Sequence, residues 1–396
     1  MRVIFVAYVQ KHRRPMLRNH NPIIKVATFS LLTSTVALHA DYTSIDTKTN
    51  QTTTVVTTST PDVTKPVVLP SGRPQVQDGV DLFLTADWLI WQANSSGLGF
   101  VIEDTTPSAT TIANGHVKSP NFKYEFGFKV GLGCNLSHDG WDASLSWTWF
   151  RDKARNSINY NGGANTLFTT FISPTVVSAS NVNGPGIAQT ASSHWKLNFD
   201  MLDLEMGREF FAGKWLTLRP FFGLRSAWVD QKYHVDYGNV SNMLTSGTVA
   251  FSAYDVHMTN DYWGFGPRIG MNGHWEFGSG WSLYGNAGIS LLYGFFHLNH
   301  DETSTSTAGA VTEQKQVRNS FHSGKAVTDL EVGIQWDYMF FNDSFHLGLH
   351  GGWQQQLFFS QNQFMRFTNG VEQGQFVQNQ GDLAFQGWSI GARFDF

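Results

Sequence analysis

The chain has 396 residues, a formal net charge of −4, only 15% charged residues and a single cysteine, Cys134. A near-neutral balance without a basic face speaks against nucleic acid, one cysteine cannot build an internal disulfide framework, and no stretch supplies the ~18 consecutive apolar residues of a membrane-crossing helix. Aromatic residues make up 14% of the chain, with 14 tryptophans and 38 glycines. The mean hydropathy of −0.22 is that of a soluble protein, yet a membrane barrel has the same low value because half of each strand is polar.

Residues 1–40 read as an export signal. Arg18 and Lys25 precede a short apolar run at 26–38, and His39-Ala40 follows. Cleavage is expected after Ala40, and Met16 is an alternative start. Residues 41–78 are rich in Thr, Ser and Pro and are expected to form a flexible periplasmic segment. The remainder, 79–396, is expected to be one outer-membrane β-barrel.

Its first strand is expected at 81–92, with Leu82, Leu84, Ala86, Trp88 and Ile90 in phase. The next two carry the strongest signal. From Phe122 to Leu136 every second residue is apolar, and after Ser137-His138-Asp139-Gly140 the alternation restarts at Trp141 and continues through Ala143, Leu145, Trp147 and Trp149. A period of two argues strand rather than helix, and Asp-Gly suits a tight hairpin. The lengths exceed those of ordinary globular strands and suit the ~9–11 residues of a tilted membrane-crossing strand. Further strands are expected at 196–209, 214–229, 262–277, 281–297, 325–339, 344–357 and 382–396. The strand at 196–209 has a flaw: Leu197, Phe199 and Met201 are odd-phase, whereas Leu202, Leu204 and Met206 are even. Either a bulge near Asp200 or a rise of the odd residues above the membrane reconciles them.

The fold class read from this pattern is all-β: a transmembrane antiparallel β-barrel of about 10 strands, with 12 as the alternative should 152–194 conceal another hairpin. Connections alternate between roughly three to five residues and roughly twenty to forty, the asymmetry of short periplasmic turns and long extracellular loops. Aromatic residues gather at both strand ends: Trp141, Trp215, Trp275, Trp281 and Tyr338 by the short turns, and Trp88, Tyr124, Trp149, Trp228, Trp263 and Tyr293 by the long loops. These are the two girdles of a membrane barrel. Closure is obligatory, because lipid cannot satisfy an open sheet edge.

The face opposite the apolar phase carries Asp87, Lys123, Glu125, Lys129, Asp142, Asp203, Glu205, Arg219, Arg225, Arg268, Glu276, Asp329, Glu331, Asp337 and Arg393. These are the candidate lumen residues, with Asp203, Glu205, Asp329 and Glu331 set against Arg219, Arg225 and Arg268 as a candidate filter. Ten strands leave a lumen little wider than its own side chains, so a salt-bridged filling competes with an open pore. The acidic excess points to mild cation preference.

Several stretches resemble a known family: FLTADWLIWQANSSGLGF (83–100), FGFKVGLGCNLSHDGWDASLSWTWF (126–150), LDLEMGREFF (202–211), KWLTLRPFFGLRSAWVDQKY (214–233), WGFGPRIGMNGHW (263–275) and the terminal GWSIGARFDF. Over about 81–396 the chain is similar to the Legionella and chlamydia-type pore-forming outer-membrane proteins, which look like the chlamydial major outer membrane protein. The resemblance implies a porin-like barrel in a Gram-negative outer membrane. The chlamydial protein is cysteine-rich and cross-linked; a lone Cys134 implies no such lattice here. Trp388, Ile390, Ala392, Phe394 and the terminal Phe396 resemble the signature read by the barrel-assembly machinery.

The expected function is diffusion of small hydrophilic solutes or ions, with no catalytic role and no cofactor. One alternative is an adhesin or structural barrel with a filled lumen, its loops binding a host-surface or envelope ligand. The other is a barrel hydrolase using His297, His300, Asp301 and His322, where H-x-x-H-D is also a weak metal pattern. The lipid bilayer is the expected partner, and the oligomeric state stays open.

Overall fold

The computed structural model describes residues 71, 72, 74, 76, 81–105, 114–136, 140–163, 165–173, 186–242, 249–368 and 374–396. The expected export signal at 1–40 and nearly all of the Thr/Ser/Pro-rich segment lie outside them. Ten long strands form the wall: β1 (Leu82–Ser95), β2 (Tyr124–Asn135), β3 (Trp141–Asn159), β4 (Thr190–Arg208), β5 (Leu216–Asn242), β6 (Val249–Gly278), β7 (Trp281–Ser306), β8 (Val311–Phe340), β9 (Phe345–Asn362) and β10 (Gly381–Asp395). Each pairs antiparallel with its neighbours in sequence. The seam joins first to last, from Phe83↔Asp395 to Ser95↔Leu383. At its end the Leu82 and Phe396 amides donate to each other's carbonyls at 3.2 and 2.9 Å. The barrel is therefore closed with ten staves. Among the described residues of 160–189, the short strands Thr166–Thr169 and Gly186–Ala188 pair with each other, the first also with Val101–Asp104 and the second with the end of β5, and add no stave.

The turn between β6 and β7 shows the local chemistry. Gly278, Ser279 and Gly280 all have positive φ, and a Cβ on Gly280 would stand 2.2 Å from the Asp337 carbonyl oxygen. Glycine meets both demands.

The strands run well past the expected ends. Much of the loops expected after the fifth and seventh strands is instead continuation of the wall: β5 runs on to Asn242, β6 starts at Val249, and β7 and β8 are joined by 307–310. In β5, Phe222, Leu224 and Trp228 face outward and exposed, while Arg225 is buried inward. Beyond Trp228 the assignment inverts: Asp230, Lys232, His234 and Asp236 face outward, and Val229, Tyr233, Val235 and Tyr237 are buried inward. In β7, Leu291, Tyr293 and Phe295 face out, followed by His297 and Asn299, whereas Phe296 and Leu298 turn inward.

No strand slips where this happens. The β4–β5 register runs without interruption from Phe221↔Gly207 to Gly238↔Thr190. The odd-phase Leu197, Phe199 and Met201 are simply the inward residues of β4, fully or almost fully buried, while Leu202 and Leu204 are outward and exposed. No bulge at Asp200 is needed: Leu197 and Phe199 pair with Gln231 and Val229, beyond Trp228, so they stand above the membrane, the second of the two expectations. What changes is the solvent. Below Trp228 and Trp263 the outside is lipid. Above them it is water, and the inside becomes an ordinary hydrophobic core, each large side chain contributing about 1.5–3 kcal/mol by burial.

Nitroxide labels report the two faces directly. Labels at Val130 and Leu145, both outward and exposed, are expected to be oxygen-accessible. Labels at Lys129 and Ser144, which line the interior, are expected to be reached by a water-soluble relaxant instead.

Candidate functional site

The lumen is built in three layers. At the short-turn end, periplasmic in barrels of this kind, lies a cavity of about 530 Å³. Seven carboxylates line it (Asp87, Asp142, Glu205, Glu209, Glu276, Glu331, Asp337) against Lys129, Arg219 and Arg393, together with His274, His346 and His350. The inward phase of β1–β10 puts them there. Arg219 holds Asp142 in a two-pronged pair, its Nε donating at 2.8 Å. His350 lies 2.6 Å from Asp87. His346 sits between Asp395, at 2.7 Å, and Asp337, at 3.1 Å. Tyr284 donates its hydroxyl to Glu331 at 2.9 Å. Gly72 and Pro74, from the segment preceding the barrel, also border the cavity, and the Gly72 amide donates to the Glu209 carbonyl.

Above the vestibule a buried ionic septum crosses the lumen. Arg225 is 1% exposed and donates to both oxygens of Asp203, at 2.6 and 2.8 Å, and to both oxygens of Asp329 at 2.9 Å. Arg268 donates to Asp329 and, at 2.9 Å, to Glu205. Gln356 donates to Asp329 as well. Arg225 and Asp203 are direct cross-strand partners, whereas Asp329 and Arg268 arrive from β8 and β6. Such a set tolerates burial only because every charge is met by an opposite one with hydrogen bonds.

The third layer is aromatic. Phe199 packs tilted against Phe385 at 4.6 Å and edge-on against Phe358 at 5.6 Å, and Trp91 meets Phe150 at 5.7 Å and Phe385 at 5.6 Å. Outer loops cap it with Leu98, Phe100, Phe171, Phe364 and Met365. Tyr233 donates its hydroxyl to the Leu98 carbonyl at 2.6 Å, and Tyr237 donates to that of Phe100. Higher still, Glu302 is fully buried and accepts from the Ser173 amide (3.2 Å), the Ser173 hydroxyl (2.9 Å) and Tyr254, with His300 Nε2 at 2.8 Å.

Of the sequence-derived lumen residues, Asp87, Lys129, Asp142, Glu205, Arg219, Glu276, Glu331, Asp337 and Arg393 border the vestibule. Asp203, Arg225, Arg268 and Asp329 form the septum. Glu125 is half-buried near Asp152, above it. Lys123 is a correction: it is exposed and precedes β2. The chain has left the ladder there, with Asn121 bridging Arg155 and Phe122 packing on Trp195, so strand parity no longer applies. The H-x-x-H-D pattern is split by the same parity. His297 faces out toward Ser320, and His300 is buried inward on Glu302; they cannot share an ion. Sequence reasoning missed Glu209, the three vestibule histidines and the aromatic layer. The histidines share the inward phase of the charged residues and were legible by it. At the C-terminus Trp388 and Ile390 face outward, and Phe394 stacks on Phe396 and on Phe345, each at 5.8 Å.

The chain is similar in fold to the Escherichia coli outer membrane protease OmpT (11% identity, TM-score 0.37, covering 82% of this chain and all of that one). It is also similar to a major outer membrane protein from Thermus thermophilus (12%, 0.28, 80% and 99%) and to the translocator domain of the autotransporter NalP from Neisseria meningitidis (10%, 0.25, 81% and 90%). No curated protein matches the sequence. The model of the Legionella pneumophila major outer membrane protein precursor family matches residues 73–396, and the chain, a closed ten-stranded barrel with a lipid-facing apolar band, belongs to that family.

Proposed function

We propose that this outer-membrane barrel is a gated, porin-like passage for small hydrophilic solutes and ions, held here with its outer half shut, and that it carries no enzymatic activity. The observation that supports this reading is the vestibule. Within the membrane-level part of the lumen the wall keeps about 530 Å³ of space bordered by charges of both signs. A barrel serving only as a scaffold has no need to hold such ionised walls around a cavity, whereas a pore uses them to set ion preference. The carboxylate excess favours cations.

A second reading, a structural or surface-presenting barrel, draws on a specific observation too: Trp91, Phe150, Phe199, Phe358 and Phe385 project from five different staves and pack across the lumen. Conductance in planar bilayers separates the two. Refolded protein is expected to give discrete steps with a cation-biased reversal potential. The Phe199→Ala/Phe385→Ala variant is expected to give steps several-fold larger or more frequent. A silent wild type with correct heat-modifiable mobility, alongside a conducting variant, assigns the structural role.

A further inference from the structure

On the outer wall, beyond the lipid, β5 and β6 bring together side chains that neither the lumen nor the family reading uses. The sequences are His234-Val235-Asp236 and Asp255-Val256-His257, mirror images of one another. The strand register sets His234 opposite His257 and Asp236 opposite Asp255. One donor atom from each of His234, Asp236 and Asp255 lies within 4.8 Å of the others. His234 Nε2 is already 3.0 Å from Asp236 Oδ1, and both side chains are over 40% exposed. We infer that His234, Asp236 and Asp255 form a binding site for a divalent transition-metal ion of the zinc class, clamping β5 to β6 above the membrane.

Three features carry this. The donor set, one imidazole nitrogen and two carboxylates, suits borderline Zn²⁺ rather than the all-oxygen shells of Ca²⁺ or Mg²⁺. Ligands ~2.0–2.1 Å from a tetrahedral zinc stand about 3.3 Å apart, so half-exposed side chains now within 4.8 Å close on an ion by small rotations. Finally, the two carboxyls sit directly opposite each other, with oxygens within 4.8 Å. Like charges in that relation oppose strand pairing, and a cation between them reverses the sign.

More imidazole nitrogen stands beside the three donors. The His257 ring is 5.5 Å from that of His234. His194, paired with His234 from β4, keeps a solvent-shielded Nε2 with no hydrogen-bond partner. Lys232 lies one row nearer the membrane on the same face. The site is in reach of aqueous ions: His234 and Asp236 are the sixth and eighth residues past Trp228, roughly 20–26 Å along the strand at ~3.3 Å per residue.

The test is a calorimetric titration of tag-free, refolded full-length protein in detergent with Zn²⁺, paired with Co²⁺ absorption as a report on coordination. One ion per chain is expected, together with a rise in the unfolding temperature that grows with Zn²⁺ concentration. Affinity is expected to fall at least about 10-fold in Asp255→Asn and in His234→Ala, and to be unchanged in His297→Ala, a histidine outside the set. Asp255→Asn is close to isosteric and keeps the test valid should His234→Ala fold poorly. Heat-modifiable mobility confirms the fold of each. Absence of saturable binding to the wild type, or equal binding by the Asp255→Asn variant, overturns the assignment.

Discussion

Arg225→Met is expected to destabilise the barrel by about 3–5 kcal/mol, the cost of leaving a buried charge without its partner. Arg225 is the guanidinium that bonds both oxygens of Asp203, and Asp203 is buried with it. Asp329 suffers less, because Arg268 and Gln356 still hold it. The loss should therefore concentrate on Asp203, and removing that charge should return part of it. Asp203→Asn placed on Arg225→Met is expected to be more stable than Arg225→Met alone. Urea unfolding of the refolded protein, followed by tryptophan fluorescence, measures both differences. A double variant weaker than the single would show that the septum is not held together by this pair.

Glu302→Leu is expected to release the outer loop at Ser173. The substitution orphans the Ser173 amide and the Tyr254 hydroxyl, leaves the Ser173 hydroxyl with Lys315 as its partner, and removes the partner of His300, in the buried outer core. A buried donor left unsatisfied costs about 1–3 kcal/mol. A net cost of about 3 kcal/mol corresponds to a roughly 100-fold rise in amide exchange at Ser173, if the loop opens as a local unit. The wild type should show the same release in acid. Burial alone would push the Glu302 carboxyl up, but hydrogen bonds from His300, Tyr254 and Ser173 outweigh it and hold the carboxyl below its ordinary value of 4.5. A carboxyl depressed in the folded state stabilises fully above its unfolded value. Exchange at Ser173, taken relative to the intrinsic amide rate at each pH, is therefore expected to stay flat from neutral pH down to that value, and to rise as pH falls through the lower folded one. Glu302→Gln should lack this rise. A wild type whose Ser173 exchange shows no such acid rise would remove Glu302 as the latch.

Most of the wall was legible because each stave inside the membrane meets two different solvents. Lipid on one side and an ionised lumen on the other write a period of two into 122–150 that no helix produces, and short and long connections count the staves. The pairing of Asp203 with Arg225 was half-legible, since both lie on the inward phase, but their opposition depends on the β4–β5 register. The outer parts of β5 to β8 were read as loops. Their alternation continues, but its polarity is reversed, so a search for apolar residues on one fixed phase stops at Trp228 and at His297. The apparent slip at Asp200 came from the same cause.

The sequence by itself determined that this chain is a membrane barrel, which residues face lipid, and which charged residues inside the membrane turn inward, because those assignments depend only on parity along each strand; it left ten or twelve staves open, and the strand pairing settled ten. Only the tertiary structure decided which inward groups meet across the lumen. It alone set Arg268 on Asp329, Phe199 on Phe385 and Glu302 on Ser173. Those contacts join residues far apart in sequence, and closing the cylinder fixes which of them face each other.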